Sequence, residues 1–270
     1  MSKEPPEGTW GSVLTCQEFA AVSSVGFAPV GQVFGAAVFA AGAASGSSCP
    51  GEFGPLVEAM YQARRVAVDR MAAECAALGG DGVVGVRFLR GLVSSGGLEL
   101  TAIGTAVRPV GATGAADGLR VPFTAGVSGQ DFARLITAGW VPAGLAFGIA
   151  IGSRHDDRVT TRQARPWSGN AEMAGWTALV NQTRQAARHR LEDDVGRFGA
   201  EGVVIAGMRL HARERDCPAT VGRRDHVAEV TFTGTAIASF AGPSHPRARP
   251  TLTVMPLGTR LHQAPWTRQG

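Results

Sequence analysis

The sequence predicts an α+β protein of two tandem small domains, each a strand, a long helix and two antiparallel strands. Three observations predict it. Leu78-Gly79-Gly80-Asp81-Gly82-Val83-Val84 is answered 120 positions later (199 − 79) by Phe198-Gly199-Ala200-Glu201-Gly202-Val203-Val204. An apolar stripe at helical spacing precedes each joint, and a stretch of strand character follows it. The 270 residues then divide into a loose lead-in over 1–11, a first domain over 12–108, a linker over 109–124, a second domain over 125–240 and a tail over 241–270.

The elements follow in order. Thr15 with Glu18 three residues on has the form of a capping box, so a short helical turn starts there. Ser128 and Asp131 repeat those roles 113 positions later (128 − 15). Gly26-Phe27-Ala28-Pro29-Val30-Gly31 is matched by Gly139-Trp140-Val141-Pro142-Ala143-Gly144 at the same offset. Because proline forces extended backbone before it, a first strand is expected to enter at 30–39 and at 143–151. The next loops, 40–54 and about 153–169, diverge and are where the two surfaces should differ.

The helix stripe is Leu56, Met60, Ala63, Ala67, Met71, Cys75 and Leu78, and 120 positions on it is Trp176, Val180, Thr183, Ala187, Leu191, Val195 and Phe198. Gly79 and Gly199 stand where a left-handed C-cap belongs. Strands are expected over 83–89 and 98–107, and again over 203–210 and 227–237. The second of these pairs encloses a longer, charged hairpin, read as solvated.

Hydrophobic residues at 44% and charged residues at 18% fit a globular chain with a real core. The formal net charge is +4, yet the tail alone holds Arg247, Arg249, Arg260 and Arg268 and no acid, so the body is balanced. A balanced body argues against nucleic acid as a partner. No charge falls between Glu18 and Glu52, but Gly, Ser and Pro interrupt that run, and no membrane span is expected. Cys16, Cys49, Cys75 and Cys217 have no C-x-x-C spacing, and no leader is visible, so a cytoplasmic protein with free thiols is expected.

The run from Ala76 to Phe88, followed by Leu98-Glu99-Leu100-Thr101-Ala102-Ile103-Gly104-Thr105-Ala106-Val107, resembles the YbjQ-like family. The second copy resembles it more loosely. The resemblance implies a helix packed on a small sheet and ring-like oligomers, typically pentamers, which for this chain means self-association of five chains giving ten domains. It implies no established reaction, and it carries a heavy-metal-binding label.

For that label the candidate ligands of a divalent heavy metal are Cys217, His211, His226 and Asp216, which share the charged hairpin. Their spacing matches no standard finger, and a solvated hairpin is the competing reading. Cys75 lies on the helix stripe and reads as core. Arg64 with Arg184 and Arg70 with Arg190 recur, and read first as subunit contacts and second as a small-anion site. Asp81 and Glu201 read as turn residues. No catalytic residues are assigned: G-x-S-x-G, P-loop and H-E-x-x-H patterns are absent from the sequence. The tail over 243–270, with its apolar run at 251–257, could dock a protein partner. The function expected first is therefore that of a non-enzymatic scaffold or ligand-binding assembly. A metal sensor comes second, and an enzyme with a pocket at a domain interface third.

Overall fold

The computed structural model describes residues 11–40, 53–92, 97–111, 121–163, 169–170, 172–217, 220 and 222–240. Cys49, most of the lead-in and the whole tail lie outside them. The described chain is α+β. Its first half runs α1 (Cys16–Ser24), β1 (Phe27–Ala40), α2 (Gly54–Ala77), β2 (Gly82–Leu92) and β3 (Gly97–Pro109). The second runs β4 (Phe123–Thr124), α3 (Gly129–Thr137), β5 (Trp140–His155), α4 (Arg158–Gln163), α5 (Ala174–Gly196), β6 (Gly202–Asp216) and β7 (Arg224–Ser239). One sheet has the order β1-β3-β2-β4 and the other β5-β7-β6. All pairings are antiparallel except β2 with β4.

Local chemistry explains the boundaries. The capping box at α1 is complete: the Glu18 N–H donates to Thr15 Oγ1 at 3.2 Å, and the Thr15 N–H donates to Glu18 Oε2 at 2.8 Å. Gly79 and Gly199 leave the long helices at φ of 72° and 61°. The first strands begin before their prolines, not after them. Each proline is carried by a bulge on an edge strand: Pro29 pairs with Val107 and Gly31 with Ala106, so Val30 is the extra residue, and the second sheet repeats this between Pro142 and Gly144.

Each long helix covers one face of its sheet. Ala63, Ala67, Met71 and Cys75 are fully buried under α2, and Ala187 and Leu191 are buried under α5. The approach is close. A Cβ on Gly35 would lie 2.1 Å from the Ala67 carbonyl oxygen, and one on Gly148 would lie 2.2 Å from that of Ala187.

Two expectations about connections are corrected. Phe123 and Thr124 are not linker but a strand added in parallel to the edge of β2. The charged hairpin is largely sheet: β6 runs on to Asp216 and β7 starts at Arg224. Successive side chains there point to opposite faces, and both faces are covered: Asp225 is fully buried and His226 is 2% exposed. The short helix α4 lies in a polar segment that carries no apolar periodicity.

Candidate functional site

The free edges of β1 and β5 are held by side chains of the long helices. The Phe34 N–H donates to Glu74 at 2.7 Å and Arg70 donates to the Ala36 carbonyl. In the second half the Phe147 N–H donates to Asp194 at 2.9 Å and Arg190 donates to the Ile149 carbonyl at 2.6 Å. The strand members are 113 apart (147 − 34) and the helix members 120 (194 − 74), as in the sequence. Of the recurring arginines, Arg70 and Arg190 therefore bind strand edges of their own half.

At β5 this edge is buried by the first half. Tyr61 of α2 enters it: the Ile149 N–H donates to Tyr61 Oη at 2.9 Å, and the hydroxyl donates to the Phe147 carbonyl at 3.2 Å. The Leu145 N–H donates to Thr124 Oγ1 at 3.2 Å. Arg65 pairs with Asp194 at 3.3 Å. Leu145, Phe147 and Ile149 join the core formed by α2 and the first sheet. Phe88 of β2 lies edge-on to Phe147, with ring centroids 5.6 Å apart. Burying three such side chains contributes on the order of 1.5–3 kcal/mol each. Segment 123–127 completes the junction along β2: the Ala125 N–H donates to the Val83 carbonyl at 2.8 Å and the Val86 N–H to the Ala125 carbonyl at 3.0 Å. Phe123 packs on Gly82, where a Cβ would stand 2.2 Å from its ring.

Between β2 and β6 the junction leaves a cleft of about 950 Å³. Arg64, Arg87, Arg90, Arg209 and Arg213 line it, with His211 and one acid, Glu229. Arg209, His211 and Arg213 are alternate residues of β6 and share a face. Arg90 meets Glu229 at 3.7 Å. Arg64 is 7% exposed and donates to the Met60 carbonyl at 2.7 Å. Burial, then the neighbouring Arg90 charge, lower its pKa to about 10. This is the pocket between halves that an enzyme reading called for. Its lining offers five arginines, one imidazole and one carboxylate.

The metal candidates are spread over both faces of the second sheet. His211 is exposed beside the cleft, and Asp216 is exposed at the end of β6. His226 is stacked on Trp176 of α5, ring centroids 4.3 Å apart, with its Nε2 2.6 Å from Asp156. Cys217 is on the other face and is disulfide-bonded, so the expectation of free thiols fails there while Cys16 and Cys75 are free. The ligand atoms that do converge are those of His155, Cys217 and Asp225, all within 4.8 Å of one another. Sequence reasoning missed His155 and Asp225 because the strand register, not the spacing, brings them together.

Fold and site together define an α+β protein of two sheets joined through a strand edge, with an arginine-lined cleft beside the joint. Residues 24–109 match the profile of the YbjQ family, described as "putative heavy-metal-binding". An encapsulin nanocompartment protein of Mycobacterium tuberculosis is 38% identical over 210 residues, covering 73% of this chain and 77% of that protein. The chain thus belongs to the YbjQ family. UPF0145 proteins of Halorubrum lacusprofundi and Vibrio campbellii are 48% and 43% identical over 58 residues, 22% of this chain and 56% of each of them. No solved structure matches the chain. No helix among the described residues is long and apolar enough to cross a membrane.

Proposed function

We propose that this is a non-enzymatic assembly protein, two tandem copies of the YbjQ-like domain that associate head to tail with further copies of the chain. One observation carries the reading: the junction inside the chain is used at one end only, and the counterparts of its two sides are left open. Phe34, 113 positions before Phe147, is 56% exposed, and Val38 beside it 59%. Met208, 120 positions after Phe88, is 51% exposed, and Ile205 and Leu210 on the same strand are 53% and 46%. Docking Met208 of one chain on Phe34 of the next would repeat the contact of Phe88 with Phe147.

Segment 11–14 has the matching role for segment 124–127. The Val13 N–H already donates to Thr105 Oγ1 at 3.1 Å, as the Gly126 N–H does to Thr235 Oγ1 at 2.9 Å. Trp10, outside the described residues, stands 113 positions before Phe123. In this reading 10–14 adds to the free edge of a neighbour's β6, which removes an open edge. Such a contact is heterologous and closes into a ring when its rotation allows. First and second copies would alternate around one ring of an even number of domains, whereas the pentamers of the family resemblance would stack first and second copies in two rings of five, five chains giving ten domains in all. The name of the mycobacterial relative, an encapsulin nanocompartment protein, also speaks for assembly over catalysis. A cytoplasmic setting and a protein partner for the tail over 243–270 belong to the same reading.

The mass of the full chain in solution tests it. A multimer is expected, and a stable monomer at working concentration rejects the reading.

A second reading is favoured by the meeting of His155, Cys217 and Asp225 and by the family's metal label. It would have a soft divalent metal bound there, with Cys217 as reduced thiolate. Zinc titration of the reduced protein against its Cys217→Ser and His226→Ala variants tests this reading. Loss in Cys217→Ser supports it; unchanged binding in that variant rejects it.

A further inference from the structure

The arginines of the cleft have no counter-charge to match them. Of the five, only Arg90 forms an ion pair among the described residues, and that pair uses the cleft's single acid, Glu229. Among the described residues Arg64, Arg87, Arg209 and Arg213 form no ion pair, though Glu229 acts electrostatically on Arg64 and Glu18 on Arg87. Arg64 is held there although its side chain is out of water and beside another cation, an arrangement that costs stability unless something neutralises it.

The cleft is open to water, with Arg87, Arg90, Arg209, His211 and Arg213 exposed and Arg64 buried, yet it has the size and the donors of a ligand site. The volume, about 950 Å³, is at the upper end of the roughly 300–1,000 Å³ typical of small-molecule pockets. Thr231 and Thr233 supply hydroxyl groups, and Gly126 and Gly207 bring bare backbone to the wall. Planar guanidinium groups bind phosphate or carboxylate oxygens in bidentate fashion. Leu100 and the half-buried Phe88 back the cleft on one side, which lowers the local dielectric there.

We propose that the cleft between β2 and β6 binds a small multiply charged anion of the phosphoanhydride or polycarboxylate class, with Arg64 and Arg209 as its main contacts. The ligand spans the joint between the two halves, so its binding stiffens their relative placement. The cleft is lined within one chain, but Met208 and Leu210 on its wall also belong to the proposed docking surface, so assembly is measured beside binding.

Calorimetric titration of the full chain with inorganic pyrophosphate, and separately with citrate, tests this. Saturable binding of at least one anion is expected, with a rise in Tm and with affinity falling as salt is added. Arg209→Gln, at an exposed strand position that leaves packing intact, should weaken binding at least tenfold, and Arg64→Gln should do the same. Arg134→Gln, remote on α3, should leave it unchanged. Absence of binding for both anions, or unchanged binding in Arg209→Gln, overturns the proposal. Masses measured on the same samples report assembly separately, so loss of one is not read as loss of the other.

Discussion

Phe88 meets Phe147 edge to face, ring centroids 5.6 Å apart and planes at 74°, and through this contact one half of the chain is packed on the other. Phe147 is 2% exposed and its ring is shared by both halves. Phe147→Ala should therefore cost about 3–5 kcal/mol of stability. Denaturant melts check this against Phe34→Ala, the same change at the counterpart, which in a dispersed monomer should cost well under 1 kcal/mol.

The helix acids make a parallel pair with unequal surroundings. Asp194 is 7% exposed and binds Phe147, Arg65 and Arg197. Asp194→Ala leaves a buried N–H and Arg65 without a partner and should destabilise by about 3 kcal/mol. Glu74→Ala opens only an exposed edge and should cost less than about 1 kcal/mol. Equal losses in thermal melts would contradict this account of the junction.

Glu18 gives a pH signature. Burial opposes its ionisation, but the N–H and hydroxyl of Thr15 and the N–H of Gly129 bind the carboxylate and hold its pKa below the ordinary value. A depressed folded value means stability that is present above about pH 4.3 and is lost as pH falls through the folded pKa. The Tm difference between the native chain and Glu18→Gln should accordingly shrink on acidification below that point. A difference independent of pH would exclude the capping role.

Cysteine reactivity separates the three environments. Burial, then the Asp81 charge, raise the Cys75 thiol to about 11, so it should resist alkylation in the folded protein at neutral pH. Exposed Cys16 should react. Cys217 should label only after reduction. Mass spectrometry of alkylated peptides reads all three. Labelling of Cys217 without reductant would restore the free-thiol expectation and with it the metal reading.

The helices and joints were legible because their signals are local. A stripe of steps of three and four and a glycine at positive φ need no knowledge of the other half. The strand starts were misjudged at Pro29 and Pro142 because a bulge on an edge strand absorbs a proline, and that depends on the neighbouring strand. The cleft was half visible. Arg64 recurs as Arg184, and Arg209, His211 and Arg213 alternate in the sequence as strand residues do. What joins them to Arg87 and Arg90 is the docking of one sheet on the other, which no spacing in the chain encodes. His155 and Asp225 are brought together by pairing across 70 positions (225 − 155), equally out of reach.

Head-to-tail association has a direct test in mixing two blocked chains. Phe34→Asp removes one docking side and Met208→Asp the other, while each chain keeps the side that its partner lacks. Each variant alone should be monomeric by mass photometry, and an equimolar mixture should form a heterodimer that grows no further. Variants that keep the native mass, or a mixture that stays monomeric, would contradict the reuse of the internal junction between chains.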